Sequence, residues 1–272
     1  MRRLAVVAVL LVACGAASAA CTTNLGLGQS LRLAYHKGDV YKYSFHSTAN
    51  ETINTAPVTF DITASHRYTV ISVASGTADI SLALTNLVIK KTVDNITQPV
   101  FGSPEPTVEI KVAPDGRILS VNGNSAQPGV LWAVLPDTSV KPGDRWSKDY
   151  DTTNLGGLGG SHLRTKSTYL RVETFQGASS AVVKTEVEAT VDVSRLPTPA
   201  NIVGGNRTIA FKGTETYDVT SWIDLSAHRL LKSHVTSKSE LTMTFDPPYS
   251  TANGGAGLTP TKAIVTIDLI PA

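Results

Sequence analysis

Cysteine is nearly absent from this chain, and its two copies lie close to the amino terminus. Cys14 and Cys21 are the only cysteines among 272 residues. A disulfide framework and a cysteine-ligated zinc site are therefore excluded from all later residues. We expect the folded part to depend on packing and strand pairing for its stability.

Net charge is also nearly absent once the first residues are set aside. The formal net charge is +2, and removing Arg2 and Arg3 from the 24 Lys and Arg residues leaves 22 basic against 22 acidic residues. The basic residues are scattered along the chain rather than gathered into a stripe. Nucleic acid is therefore not an expected partner, because binding to it depends on a basic surface.

Motifs of nucleophilic and metal-assisted catalysis are missing as well. Beyond the first twenty residues the chain contains no Gly-x-Ser-x-Gly elbow, no Ser-x-x-Lys and no His-Glu-x-x-His, and its six histidines are dispersed. A nucleophile needs a neighbouring base, and a metal needs clustered ligands. We therefore predict no catalytic residue, no metal site and no cofactor, and expect a protein that is not an enzyme.

Long apolar runs are confined to the amino terminus. Arg2 and Arg3 precede an apolar run at residues 4–13, and small residues continue to Ala20. A run of about ten residues is too short for a transmembrane helix, which needs roughly twenty, and small residues of this kind precede a signal-peptidase site. Residues 1–20 are therefore predicted to be an export signal, and residues 21–30 a small polar tether.

Two short segments resemble the bacterial lipobox, in which the cysteine is acylated and becomes the mature amino terminus. They are Leu-Val-Ala-Cys, which ends in Cys14, and Ser-Ala-Ala-Cys, which ends in Cys21. Cleavage before Cys21 removes Cys14 and leaves no unpaired thiol. Cys21 is thus the predicted lipidation site, with Cys14 as the alternative. The lipid would anchor the protein to the membrane, at its outer face or in the periplasm. Cleavage after Ala19 would instead give a soluble secreted protein.

Two Gly-Asp segments organise the rest of the chain. Gly38-Asp39 precedes a strand pattern, and about a hundred residues later Gly143-Asp144 precedes another. Such self-similarity predicts one β unit written twice. The predicted organisation is a first β-rich half at residues 31–123, a linker at residues 124–136 and a second β-rich half at residues 137–272.

Alternation of apolar and polar residues recurs along both halves and is cleanest at residues 181–193. No stretch of twelve or more residues has a convincing helical period. We therefore predict an all-β, mostly antiparallel fold whose two similar halves form curved sheets or half-barrels. Residues 130–135 are continuously apolar without a period of two, which predicts a short helix or turn between the halves.

One face of the long predicted strands is strongly apolar, and few helices are predicted to cover it. A sheet of this kind closes on itself, pairs with another sheet or wraps around something apolar. Two interpretations follow: an ordinary core, or a cavity for a hydrophobic ligand between the halves. Under the second, the ligand-facing candidates are Tyr41, Tyr43, Phe45, Ile80, Leu82, Leu84, Val183, Val187 and Val191.

A lipobox-like leader followed by two β-rich halves, each opened by Gly-Asp and an aromatic strand, resembles bacterial secreted lipoproteins with a duplicated β-rich half. More distantly, the chain resembles the lipid-carrier lipoproteins of the LolA and LppX type, whose curved antiparallel sheet encloses acyl chains. The resemblance implies an envelope lipoprotein that binds a lipid or other apolar ligand. The alternative expectation is a structural or protein-interaction module of the bacterial cell surface, which would bind its partner through strand edges or loops.

Overall fold

The structure, a computed structural model, consists of strands and connecting segments over the part of the chain that it describes. That part comprises residues 28–53, 56–100, 107–122, 124–125, 131–153, 159–197, 208–246 and 258–272. It contains thirteen strands and no helix. The predicted all-β class is confirmed. The strands are β1 Val40–Ile53, β2 Ala56–Ala74, β3 Thr77–Val93, β4 Ile96–Val100, β5 Thr107–Val112, β6 Ile118–Val121, β7 Asn124–Ser125, β8 Arg145–Thr153, β9 Gly159–Phe175, β10 Ala178–Pro197, β11 Thr208–Asp224, β12 Leu230–Asp246 and β13 Leu258–Pro271.

All thirteen strands belong to one antiparallel sheet. Twelve follow one another in the order β7-β6-β5-β3-β2-β1-β13-β12-β11-β10-β9-β8, and β4 pairs with β3 beside β5. Most neighbours in the sheet are also neighbours in sequence. There are two exceptions: β3 pairs with β5, and β13 lies between β12 and β1 and so joins the last strands to the first. The sheet curves until it is nearly closed, like a barrel.

Strand β10 illustrates why this sequence forms a sheet with distinct inner and outer faces. Successive side chains of a strand point to opposite faces, so a period of two separates a buried face from a solvated one. Valine and threonine also favour the extended backbone. The inner residues of β10 are buried, whereas the alternate residues Glu186, Glu188, Thr190 and Asp192 are exposed.

One end of the sheet, which we call the closed end, carries the hairpin turns at residues 75–76 and 176–177 and the two Gly-Asp turns. Gly38 and Gly143 have φ angles of +92° and +95°. Side chains with a Cβ rarely adopt this conformation, so glycine suits both positions. The predicted Gly-Asp turns are therefore present, and each is followed directly by a strand, β1 or β8.

The two Gly-Asp turns are built from the same hydrogen bonds. In the first turn, the backbone N–H of His36 donates to Asp39 Oδ2 over 2.9 Å, and that of Gly38 donates to the Val70 carbonyl over 2.9 Å. The second turn has the corresponding bonds from Lys141 to Asp144 Oδ2 at 2.9 Å and from Gly143 to the Tyr169 carbonyl at 2.7 Å. Each aspartate thus closes its own turn, and each glycine joins that turn to the neighbouring strand.

Residues 131–136, which we call the crossing segment, run through the inside of the closed end. They form neither a helix nor a strand, so of the two predicted alternatives the helix is wrong for these residues. Residues 126–130 lie outside the described part of the chain. The segment's continuous apolar character is explained by its position, since it is surrounded by the sheet instead of lying on its surface.

Inward-facing hydroxyls supply the hydrogen bonds that the crossing segment cannot make by itself. A buried irregular backbone needs partners for its N–H and C=O groups. The N–H of Ala133 donates to Ser221 Oγ over 2.8 Å, and that of Val134 donates to Thr185 Oγ1 over 3.2 Å. Ser167 Oγ donates to the Val134 carbonyl over 3.0 Å. These small polar residues therefore interrupt the apolar inner face because they bind backbone.

The sheet order begins with β7 and finishes with β8. Side chains join these two edges of the sheet along what we call the seam. No backbone pairing joins β8 to β7 among the described strands. Instead, Lys148 Nζ on β8 lies 2.8 Å from Asp115 Oδ2, in the turn before β6, and 2.7 Å from Asp137 Oδ1. Arg117 Nε donates to Asp115 Oδ2 over 2.7 Å, and its guanidinium lies 5.3 Å from the centre of the Tyr150 ring. Burial alone raises the pKa of Asp115, but the bonds from Lys148 and Arg117 hold it below its ordinary value.

Candidate functional site

The inner face of the sheet holds all nine residues that the sequence predicts to face a ligand. They come from three strands, β1, β3 and β10, and the fold places all of them on the same face of the sheet. Six of them are buried and three are half-buried. The buried six are Tyr43, Ile80, Leu82, Val183, Val187 and Val191, and the half-buried three are Tyr41, Phe45 and Leu84.

Most of these side chains contribute to the hydrophobic core of the closed end. Tyr43, Ile80, Leu82 and Val183 are members of that core, and Tyr41 and Phe45 pack against it. Leu31 and Leu33, from the chain before β1, and Leu135, from the crossing segment, fill the same core from inside the sheet. Val187 belongs to a second, smaller cluster that also contains Leu163, Val219 and Val235. The closed end is thus filled by the chain's own side chains.

A small cavity remains in the closed-end core. Its volume is about 20 Å³, and its lining includes Tyr35, Tyr41, Tyr43, Tyr68 and Trp132. That volume corresponds to roughly one water molecule and is far too small for an alkyl chain. This cavity therefore cannot hold a larger ligand.

Three aromatic rings pack against one another within the closed-end core. The Tyr43 and Tyr68 rings meet edge to face with centroids 5.6 Å apart, and Tyr68 meets Trp132 at 6.5 Å. Tyr43 Oη donates to the Leu230 carbonyl over 2.7 Å. Burial raises the pKa of Tyr43 and of Tyr68, so both phenols are neutral. The surface that these rings present to the interior is therefore uncharged.

Beyond the two core clusters, the apolar inner face continues toward the other end of the sheet. We call this region the distal inner face and define it by Phe60, Ile62, Ile89, Leu241 and Val265. All five are half-buried, and neither core cluster includes them. Ile62 pairs with Ile89, and both Phe60 and Val265 pair with Ala49. All five residues lie within the run of neighbouring strands β3-β2-β1-β13-β12. Sequence reasoning did not select them, because alternation does not reveal which part of an apolar face remains uncovered.

His66 is a buried polar side chain on this inner face. Its imidazole stacks on the Phe45 ring with centroids 4.5 Å apart, and its Nδ1 lies 3.2 Å from Tyr68 Oη. Its Nε2 is buried and has no hydrogen-bond partner among the residues that the structure describes. Burial lowers the pKa of His66 to about 4, so the ring is uncharged near neutral pH.

Two hydroxyls on the same face, Ser161 Oγ and Thr261 Oγ1, are also buried and have no partner within the described ranges. Thr261 pairs directly with Leu241, and Ser161 pairs with Val191. Buried polar atoms in folded proteins are nearly always hydrogen-bonded, to protein, to water or to a ligand. The three unpartnered atoms therefore mark places where the interior can accept a polar group.

Glu215 adds an acidic group to the inner face and is half-buried. The Tyr217 hydroxyl donates to its carboxylate. Burial raises the pKa of Glu215, and the bond from Tyr217 opposes that rise only in part. Within the described ranges, no group of three or more His, Cys, Asp or Glu side chains is placed to hold a metal ion. The chemistry that this arrangement offers is binding through apolar contacts and single hydrogen bonds.

The predicted export signal at residues 1–20 and both candidate lipidation sites, Cys14 and Cys21, lie outside the described residues.

The protein thus belongs to the class of all-β proteins with a nearly closed antiparallel sheet. Its closed end is filled by its own side chains, and its inner face is apolar with isolated buried polar atoms. No family model matches the chain. A search of curated proteins also returned no match. In the part of the chain that the structure describes, no helix has the length and apolar character needed to cross a membrane.

Proposed function

We propose that this protein is a non-enzymatic lipoprotein of the bacterial cell envelope that binds a lipid or other apolar ligand inside its curved sheet. The observation that carries the proposal is the distal inner face. Its five half-buried apolar residues adjoin two filled clusters but belong to neither. Apolar surface that the chain does not cover is available to an apolar ligand, since removing it from water is favourable.

The duplication of the chain is part of this proposal. The matched hydrogen bonds of the two Gly-Asp turns support it, as does the strand order, in which residues 31–123 and 137–272 each contribute a run of consecutive antiparallel strands. Two halves of this kind form a single curved wall around one interior. The ligand would therefore contact both halves at once.

Native mass spectrometry of the mature protein, purified from bacterial envelopes, tests ligand binding. We expect species heavier than the polypeptide by the mass of a lipid, and we expect organic extraction to release that lipid. Replacing Phe60 and Ile62 by serine should reduce the bound fraction, because both side chains line the proposed site. A protein that is always free of lipid, and that takes up none from vesicles, would contradict the proposal.

The predicted anchor is tested by fractionating cells that express single cysteine variants. We expect Cys21→Ser to move the protein from the membrane fraction to the soluble fraction, because no thiol remains at the acylation position. Cys14→Ser is the matched control and should leave the protein in the membrane fraction. The opposite pattern would assign the anchor to Cys14, and a soluble wild-type protein would instead support secretion without a lipid.

The second candidate is a structural or protein-interaction module of the cell surface. It is favoured by the edge strand β8, which pairs only with β9 among the described strands, and by exposed apolar residues on the outer surface such as Ile71 and Val172. A strand with one free edge can accept a partner strand. A lipid-free protein that forms a stable complex through β8 would support this candidate over the first.

A further inference from the structure

The buried polar atoms that lack partners in the described part of the chain lie on one face of the sheet, on the three strands β2, β9 and β13. His66 Nε2, Ser161 Oγ and Thr261 Oγ1 all belong to side chains of the inner face. Leaving a buried donor or acceptor unpaired is unfavourable, because the group has lost its hydrogen bonds to water. A purely hydrocarbon ligand would leave these atoms unpaired.

His66 is the most restrictive of the three positions. The residue is 5% exposed, its ring is stacked on Phe45, and its Nδ1 is engaged with the Tyr68 hydroxyl. If Tyr68 donates to Nδ1, then Nε2 carries the ring proton and needs an acceptor. If Nδ1 donates to Tyr68, then Nε2 needs a donor. A hydroxyl group satisfies either arrangement, whereas a carbonyl oxygen satisfies only the first.

We infer that the apolar ligand carries a hydroxyl group, which forms a hydrogen bond with His66 Nε2 on the inner face. The inference rests on the proposed function and adds to it a chemical class, a long-chain alcohol or hydroxylated lipid as opposed to a hydrocarbon.

Two probes of equal size, dodecanol and tridecane, test the inference on the full mature protein. Each displaces an environment-sensitive apolar dye, and the fluorescence decrease gives its affinity. In a site without a polar partner, tridecane binds more tightly, because the hydroxyl of dodecanol loses its water on entry. We expect the wild-type protein to bind dodecanol the more tightly. In His66→Phe, which keeps an aromatic ring against Phe45, dodecanol affinity should fall about five- to tenfold, the net effect of one hydrogen bond. Tridecane affinity should not fall.

His162→Phe is the matched control, since His162 is an exposed histidine that lies 2.8 Å from Asp151 on the outer face. It should leave both affinities unchanged. If His66→Phe does not fold, as judged by its thermal transition, His66→Leu, which also removes both ring nitrogens, is tested with the same two probes and should lose affinity for dodecanol alone.

Two results would overturn the inference. The first is a wild-type protein that prefers tridecane, and the second is a folded His66→Phe variant with unchanged dodecanol affinity. Either result would show that the ligand forms no hydrogen bond with Nε2, while apolar binding itself would stand. A wild-type protein that binds neither probe would remove the proposed function and the inference together.

Discussion

His66 shows what burial does to a single titratable side chain. Its imidazole sits against Phe45, Tyr43 and Tyr68 with one nitrogen unpaired, so the charged form is disfavoured and the folded-state pKa falls from 6.5 to about 4. In the unfolded chain the same imidazole is in water and titrates near its ordinary value. Between these two pKa values the unfolded state holds the additional proton.

The first prediction concerns acid stability. As the pH falls from about 6.5 to about 4, we expect His66 to remove about 3 kcal/mol from the free energy of unfolding, since one pKa unit corresponds to about 1.4 kcal/mol. Below pH 4 both states are protonated and this loss stops. Urea unfolding at a series of pH values measures the effect. Asp39, Asp79, Asp115 and Asp224 have pKa values below the ordinary 3.8, so they titrate under this window.

His66→Phe isolates the contribution of the imidazole. Its stability should depend less on pH than that of the wild type over the same window, even though the loss of the Tyr68 partner lowers its stability at every pH. Equal pH profiles for the two proteins would show that His66 is accessible to protons in the folded state.

At the scale of elements, the glycines show two different reasons for the same residue type. Gly38 and Gly143 are required by their positive φ angles. Space is not the reason, since a Cβ at either position would meet no atom within 4 Å. Gly213 in β11 is required by close approach, because a Cβ there would lie 2.0 Å from the Glu240 carbonyl oxygen on β12. A turn glycine and a strand glycine therefore respond differently to substitution.

The second prediction compares alanine at these positions. Gly38→Ala and Gly143→Ala should each lower the free energy of unfolding by about 1–2 kcal/mol, by similar amounts, because only the left-handed conformation opposes the new side chain. Gly213→Ala should lower it by roughly 3 kcal/mol or more, since two backbones must separate. Denaturant unfolding of the three variants measures this order. A mild Gly213→Ala variant would show that β11 and β12 can move apart.

At the scale of the whole molecule, the nearly closed sheet depends on the seam. The Asp115 side chain is 9% exposed and Lys148 is 13% exposed, and together they join β8 to the turn before β6. Removing one partner leaves a charge in a poorly solvated place, which is more damaging than losing an exposed ion pair. The closure of the barrel is therefore sensitive to a single side chain.

The third prediction tests the seam with a pair of lysine variants. Lys148→Met should lower the free energy of unfolding by about 2–3 kcal/mol and accelerate amide hydrogen exchange in β8, because Asp115 then keeps only Arg117. Lys166→Met is the matched control. Lys166 lies on β9, is exposed and stands 3.8 Å from Glu188, so its replacement should change stability by less than about 1 kcal/mol. Equal effects of the two variants would show that the seam does not hold β8.

Strands and turns were the predictable part of this molecule. The alternation at residues 181–193 predicts β10, and both Gly-Asp segments predict turns that precede β1 and β8. The crossing segment was not predictable in the same way. Its apolar run has no period of two, and the hydroxyls that satisfy its backbone, Thr185 and Ser221, come from strands far along the chain.

The candidate site was predictable only as a face. The nine residues that alternation selects all lie on the inner face. Alternation gives no sign that the closed end is filled, which leaves distal residues such as Phe60 and Val265 as the uncovered apolar surface. Nor does alternation reveal that His66 Nε2 lacks a partner among the described residues, because that depends on every element packed around the ring.

By itself, the sequence determined which residues form strands, which side of each strand is apolar and where the chain turns, because these follow from a strand's period of two and from the backbone preferences of glycine, aspartate and proline within a few residues. Only the tertiary structure decided that β13 pairs with β1, that two segments fill one end and that a lysine bridges the seam. Those features join residues far apart in sequence, and their stability depends on burial and hydrogen-bond partners that exist only after the sheet has curved.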